Sequence, residues 1–240
     1  MFNREIINNL KEWTVRDNRK PLVLRGARQV GKTTAVEMFA KEFDQYITLN
    51  LEKEEERMIF ETSYPFQDLL MALFYYAKKD RYSGRTLIFI DEIQNCPKAV
   101  SLLRYFKEEA GDLFVIAAGS LLETIMDRKI SYPVGRVEFM MLHPVSFREF
   151  LAATGENQSL DLFNRDEVPA FAHTQLMRFF KKYLTIGGMP QVVEQYARNK
   201  DLTALQPIYE SLQKISPMFT EDEWQNTLPD RNCLPSRIVS

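Results

Sequence analysis

The chain has 240 residues, one full domain and a remainder at the usual ~100–200 residues per domain, and its 45% hydrophobic and 27% charged content exclude disorder, collagen and coiled coil. A formal charge of −2, from 31 basic and 33 acidic residues, gives no bulk attraction to nucleic acid or anionic lipid, so any such contact needs a local patch. Two cysteines, Cys96 and Cys233, and two histidines, His143 and His173, exclude a disulfide framework, a thiolate zinc site and a histidine-centred hydrolase. Arg4 and Glu5 precede any apolar run, unlike a signal peptide, and no stretch approaches the ~20 apolar residues of a membrane span. These features predict a cytoplasmic protein with no membrane partner.

In chain order, Ile6, Ile7, Leu10 and Trp13 recur at helical spacing, Asn18 to Pro21 breaks the pattern, and Leu22-Val23-Leu24 reads as a strand. A glycine-containing loop leads to a helix from Lys32 to about Glu42, with Ala35, Met38 and Phe39 on one face, and to a second strand at Tyr46 to Leu51. The charge run Glu52 to Arg57 reads as a solvated loop or helix face. Phe66 to Lys78 is expected as a buried helix, Leu87 to Ile90 as a buried strand and Val100 to Glu109 as a helix ending at Gly111. Strands at Leu113 to Ala117 and Val137 to Leu142 complete five, alternating with helices as in a parallel sheet covered on both faces. Beyond Phe147 the pattern turns helical, at Leu176 to Leu184, Val192 to Arg198 and Leu202 to Leu212, which places a boundary near Leu151.

Gly26-Ala27-Arg28-Gln29-Val30-Gly31-Lys32-Thr33 satisfies the phosphate-loop pattern of two glycines four residues apart followed by Lys and Thr. Each position has a physical task. The glycines let backbone N–H groups turn inward around phosphates, Lys32 reaches the β and γ oxygens, the Thr33 hydroxyl ligates Mg²⁺, and Thr34 assists at the helix N-terminus. A predicted strand before the loop and a helix from Lys32 supply the setting that the motif requires. ATP and Mg²⁺ are thus the expected ligands.

The strand Leu87-Ile88-Phe89-Ile90 ends in Asp91-Glu92, at the carboxyl edge of the sheet where α/β proteins bind ligands. Asp91 is the candidate second holder of Mg²⁺, through a water, and Glu92 the candidate base for the water that attacks the γ-phosphate. The strand at Tyr46 to Leu51 intervenes between the two motifs. An acid pair after an interposed strand resembles the additional-strand, catalytic-glutamate division of phosphate-loop NTPases, which implies sheet order 5-1-4-3-2 and ATP hydrolysis.

Val115-Ile116-Ala117-Ala118-Gly119-Ser120-Leu121-Leu122, Pro133-Val134-Gly135-Arg136-Val137, Pro144-Val145-Ser146-Phe147-Arg148-Glu149-Phe150-Leu151, Tyr183-Leu184 and Gly187-Gly188-Met189-Pro190 follow in order. Together they resemble prokaryotic AAA+-like ATPases, in which an AAA domain precedes a poorly characterised C-terminal domain. The resemblance runs from about Arg4 to about Leu212. It implies an α/β three-layer phosphate-loop core over residues 1–151, a helical lid or winged-helix-like region over 152–212, and an irregular tail over 213–240. By the same resemblance Ser120 falls where a polar γ-phosphate sensor sits, and Arg136 at a basic position that neutralises charge in cis or across a subunit interface; a surface arginine flanking a strand is the alternative. The Gly-Gly-Met-Pro run resembles an adenine-contacting element and, taken alone, is a turn signal.

Three functions are compatible with these motifs: an ATPase, a slowly hydrolysing nucleotide-gated switch, and a phosphotransferase, the last disfavoured because Glu92 and the interposed strand point to water as acceptor. A homo-oligomer, and a DNA or protein client engaged through a missing C-terminal domain, are the implied partners. Arg178-Phe179-Phe180-Lys181-Lys182-Tyr183 could contact nucleic acid, but its helical spacing equally suits a half-buried face. The prolines Pro217, Pro229 and Pro235 interrupt a final stretch of low apolar periodicity, which predicts a chain that ends short of the C-terminal domain, by a frameshift or as a natural short form.

Overall fold

The computed structural model describes residues 2–119, 133 and 135–215. Ser120 and most of the expected tail lie outside the described residues. The chain divides into two compact units, one spanning Ile6–Leu142 and the other combining residues 2–5 with the described residues from His143 onward.

Five parallel strands form the first unit: β1 (Leu22–Arg25), β2 (Gln45–Asn50), β3 (Thr86–Asp91), β4 (Phe114–Ala118) and β5 (Glu138–Met141). Their spatial order is β2-β3-β4-β1-β5, which read from the other edge is the expected 5-1-4-3-2. Strand periodicity sorts the core onto two faces. Val23, Ile47, Leu49, Ile88, Ile90, Val115 and Ala117 point one way and pack on α3 (Glu54–Glu61), α4 (Phe66–Tyr76) and α5 (Pro97–Glu109). Leu22, Leu24, Leu87, Phe89, Ile116 and Ala118 point the other way, onto α1 (Ile6–Thr14) and α2 (Lys32–Phe39). The four apolar positions read in α1 are the four it buries, and Trp13 also donates its ring N–H to the Lys20 carbonyl at 3.0 Å, tying the helix to the break before β1. The three layers therefore follow from patterning alone.

Within the charge run the expectation of a solvated segment holds only in part. Its last residues start α3, but Glu56 is buried, because its carboxylate accepts the Asn50 N–H at the end of β2 and the Lys53 ammonium at 2.8 Å. A lone acid is thereby drawn inward to satisfy a strand terminus.

In the second unit, α6 (Phe147–Ala153) and α7 (Asn157–Phe163) precede α8 (Ala170–Ile186), α9 (Pro190–Asn199) and α10 (Gln206–Ile215). The division at Leu142/His143 precedes the boundary expected near Leu151, because α6 begins with a capping box and turns Phe147, Phe150 and Leu151 into the second core. Ser146 Oγ accepts the Glu149 N–H at 3.1 Å and Glu149 Oε2 accepts the Ser146 N–H at 2.9 Å. The other carboxylate oxygen of Glu149 accepts from Arg4 Nε at 2.9 Å and from the Glu5 N–H at 2.7 Å, so one buried acid joins the N-terminal residues to this unit. Phe179 and Tyr183 lie in the same core, and the Tyr183 hydroxyl donates to the Val145 carbonyl at 2.8 Å. The aromatic side of the 178–183 run is thus packing. Gly187 ends α8 at φ 74, Pro190 opens α9, and a Cβ on Gly188 would stand 2.8 Å from Pro144 Cβ. That explains the glycine pair as a tight turn.

Candidate functional site

Residues 26–31 connect β1 to α2 at the carboxyl edge of the sheet, and Gly31 enters the helix at φ 89, the left-handed region that favours glycine. Gly26 is constrained by space as well. At φ +150, a Cβ there would lie 2.4 Å from the Leu142 carbonyl oxygen and 3.1 Å from Val30 Cγ2. Leu142 itself donates its N–H to the Arg25 carbonyl at 2.8 Å, so the chain leaving β5 closes against the loop. Fully buried Val30 pins the loop from inside, while Gln29 takes a positive φ of 62 at its exposed tip. Ala27 and Arg28 flank that tip, half-buried.

Lys32, the first residue of α2, is only 6% exposed and folds back to donate from Nζ to the carbonyls of Gly26 at 2.8 Å and Ala27 at 2.9 Å. Burial pushes its pKa down, against the opposing pull of the Glu92 and Asp91 carboxylates. One turn of loop and helix thus holds a desolvated cation inside a ring of backbone. Thr33 Oγ1 donates to Asp91 Oδ2 at 2.7 Å, linking the loop to the end of β3, and Thr34 follows on the same first helical turn. Asp91 is 7% exposed, and its other oxygen accepts the Glu92 N–H at 3.0 Å. Burial raises its pKa above the ordinary 3.8, opposed by the Thr33 and Glu92 hydrogen bonds.

Glu92 follows at φ 50. Such a backbone in a residue other than glycine costs on the order of 1–3 kcal/mol and persists where surrounding structure over-determines it. The 3₁₀ turn Ile93–Asn95 provides that: Asn95 N–H donates to Glu92 O at 3.0 Å, and Ile93 is fully buried. The Gln94 amide nitrogen donates to Glu92 Oε2, while Gln94 Oε1 is buried with no donor among the described residues. Leaving that oxygen unsatisfied costs about 1–3 kcal/mol. Sequence reasoning missed Gln94, for which only its place two residues after the acid pair was a signal.

Lys32, Thr33, Asp91 and Glu92 are therefore brought together, as the motifs predicted. Arg136 is not. It precedes β5, whose Glu138 pairs in register with Leu22 at the start of β1, so it lies at the amino edge of the sheet, opposite the loop. There its 56%-exposed side chain forms a 3.1 Å ion pair with Glu108 near the end of α5. Of the readings left open for Arg136, this place accords with a surface arginine flanking a strand and leaves a contact across a subunit interface as a proposal.

A family model described as an AAA domain matches residues 18–151, more than half of the chain. The chain belongs to the AAA domain family. Among solved structures it is similar to the Walker-type ATPase PABY2304 of Pyrococcus abyssi, with 18% identity, TM-score 0.52, and coverage of 90% of this chain and 76% of that one. It is also similar to the Drosophila ORC bound to DNA, with 16% identity, TM-score 0.50, and coverage of 94% of this chain and 68% of that one. Both likenesses are to the fold. No curated protein matches. This AAA protein has no helix among the described residues long and apolar enough to cross a membrane.

Proposed function

We propose that this AAA protein binds Mg·ATP on residues 26–34 and hydrolyses it with Glu92 as the base. The observation that carries the reading is the 2.7 Å bond between Thr33 Oγ1 and Asp91 Oδ2, which joins the loop hydroxyl to the strand-end carboxylate beside a buried ammonium. This donor set suits a hard divalent cation, since hydroxyl and carboxylate oxygens are what Mg²⁺ takes alongside water and phosphate. Mg²⁺ held by Thr33, and by Asp91 through a water, would neutralise charge on the β and γ oxygens.

The remaining work falls to the chain. The N–H groups of Gly26, Ala27, Arg28, Gln29, Val30, Gly31, Lys32, Thr33 and Thr34 surround the phosphates. Lys32 exchanges its two loop carbonyls for phosphate oxygens, which return the charge that burial now disfavours. Glu92 accepts a proton from the attacking water. Ser120 remains a proposed γ-phosphate sensor, and Arg136 a proposed charge-neutralising residue, for which its place at the amino edge of its own sheet supports contact across a subunit interface.

A second reading, a slowly hydrolysing nucleotide-gated switch, is favoured by one observation: the Gln94 amide donates to Glu92 Oε2 and so occupies one oxygen of the proposed base. A DNA or protein client extends either reading and is tested by turnover with and without DNA. Calorimetric titration with Mg·ATP tests the loop itself. Lys32→Ala should abolish measurable binding in a protein that stays folded, and unchanged affinity would overturn the assignment.

A further inference from the structure

We propose that the α7–α8 face of the second unit binds single-stranded nucleic acid, stacking a base on Phe171 and holding the flanking phosphates on Arg178 and Lys182. The inference goes beyond the ATP site and needs no turnover. The helical period sorts the residues of α8. Ala172, Leu176, Phe179 and Tyr183 enter the core, whereas Phe171, Gln175, Arg178 and Lys182, spaced four, three and four apart, form one stripe beside it. The stripe runs about three turns, or about 16 Å, enough for a few nucleotides.

Three observations carry the proposal. First, Phe171 presents a ring that is 77% exposed, the kind of platform on which bases stack. Second, Phe171 and Gln175 line a cavity of about 330 Å³ whose other wall is Asn157, Gln158 and Ser159 of α7, a volume at the small end of ligand sites and suited to one planar base. The side chains of those three residues and of Gln175 make no hydrogen bond among the described residues, so their donors and acceptors stand open to the edge of a base. The acid on the cavity wall, Glu156, is paired with Lys200 Nζ at 3.7 Å. Third, Arg178, Lys181 and Lys182 lie on a helix with no acidic residue, and none of them forms an ion pair among the described residues. An acidic peptide would satisfy these cations and leave the ring and the open amides without a partner. A duplex keeps its bases stacked away from both, whereas a single strand offers them at no unpairing cost.

Fluorescence anisotropy of a short labelled oligothymidine, titrated with the full chain in the absence of nucleotide, tests the site. Phe171→Ala should weaken binding about tenfold, the worth of one stacked base. Arg178→Gln with Lys182→Gln should flatten the slope of log affinity against log salt by about 1.4, two phosphates at about 0.7 each on a single strand. Phe171 and Arg178 are exposed, so these variants should keep the wild-type urea midpoint. Tyr75→Ala, which removes an 88%-exposed ring on α4, should leave binding unchanged. In Phe171→Trp the oligonucleotide should quench the new indole emission, which reports stacking directly. An oligouridine should bind comparably and the duplex more weakly.

No binding, an equal loss for Tyr75→Ala, or competition by polyglutamate as strong as by oligothymidine would overturn the proposal. Loss of binding in Lys32→Ala but not in Phe171→Ala would place the strand on the phosphate loop and overturn it as well. Because the titration contains no ATP, its failure leaves the Glu92 assignment standing, and a failed Glu92 test leaves this face standing.

Discussion

Gly26→Ala tests how closely the chain after β5 confines the phosphate loop. The added methyl would enter 2.4 Å from the Leu142 carbonyl oxygen, well inside van der Waals contact, and 3.1 Å from a Val30 methyl group that is itself fully buried. Neither neighbour gives way easily, since Leu142 is tied to Arg25 by a 2.8 Å backbone bond. The positive φ costs about 1–3 kcal/mol and the overlap a similar amount, so about 2–6 kcal/mol of stability should be lost. Gly135→Ala is the control, because Gly135 also has a positive φ, +78, but a methyl group there would meet no heavy atom of the described residues within 4 Å. It should lose only about 1–2 kcal/mol. Urea unfolding measures both, and titration with Mg·ATP should show weakened binding for Gly26→Ala alone. A Gly26→Ala loss no larger than that of Gly135→Ala would refute the steric reasoning.

Asp91→Asn should remove a pH-dependent penalty: the folded protein binds the Asp91 proton more tightly than the unfolded chain, so the wild-type contribution to stability falls as pH rises from 3.8 through the raised folded value. Urea unfolding of wild type and variant across that window should show the variant gaining relative stability with pH, and a constant difference would contradict the burial argument. Arg136→Ala should leave Mg·ATP affinity unchanged by calorimetry, and a tenfold loss would place its guanidinium at the phosphates after all. Glu149→Ala removes the acceptor of Arg4, Glu5 and Ser146 at once and should cost about 3–5 kcal/mol in thermal or urea unfolding.

The sheet and the phosphate loop were legible because both are written in local pattern. β3 alternates Leu87 and Phe89 against Ile88 and Ile90, and the layers follow. Lys32, Thr33, Asp91 and Glu92 stand together because motif spacing and strand direction place them at one edge. Two features were not found, each for a physical reason. Glu56 is drawn inside by an N–H at the end of another strand, a demand invisible within its own charge run. The capping box Ser146/Glu149 stands in the sequence, yet its role depends on Arg4, distant along the chain.

The proposed mechanism rests on Glu92 acting as a base at a loop that binds nucleotide without it. The most direct measurement is Mg·ATP affinity and steady-state turnover of Glu92→Gln beside wild type. Affinity should be retained while hydrolysis slows by about 10²-fold or more, as expected when a general base becomes an amide of the same shape. Turnover within a few-fold of wild type, with affinity intact, would contradict it.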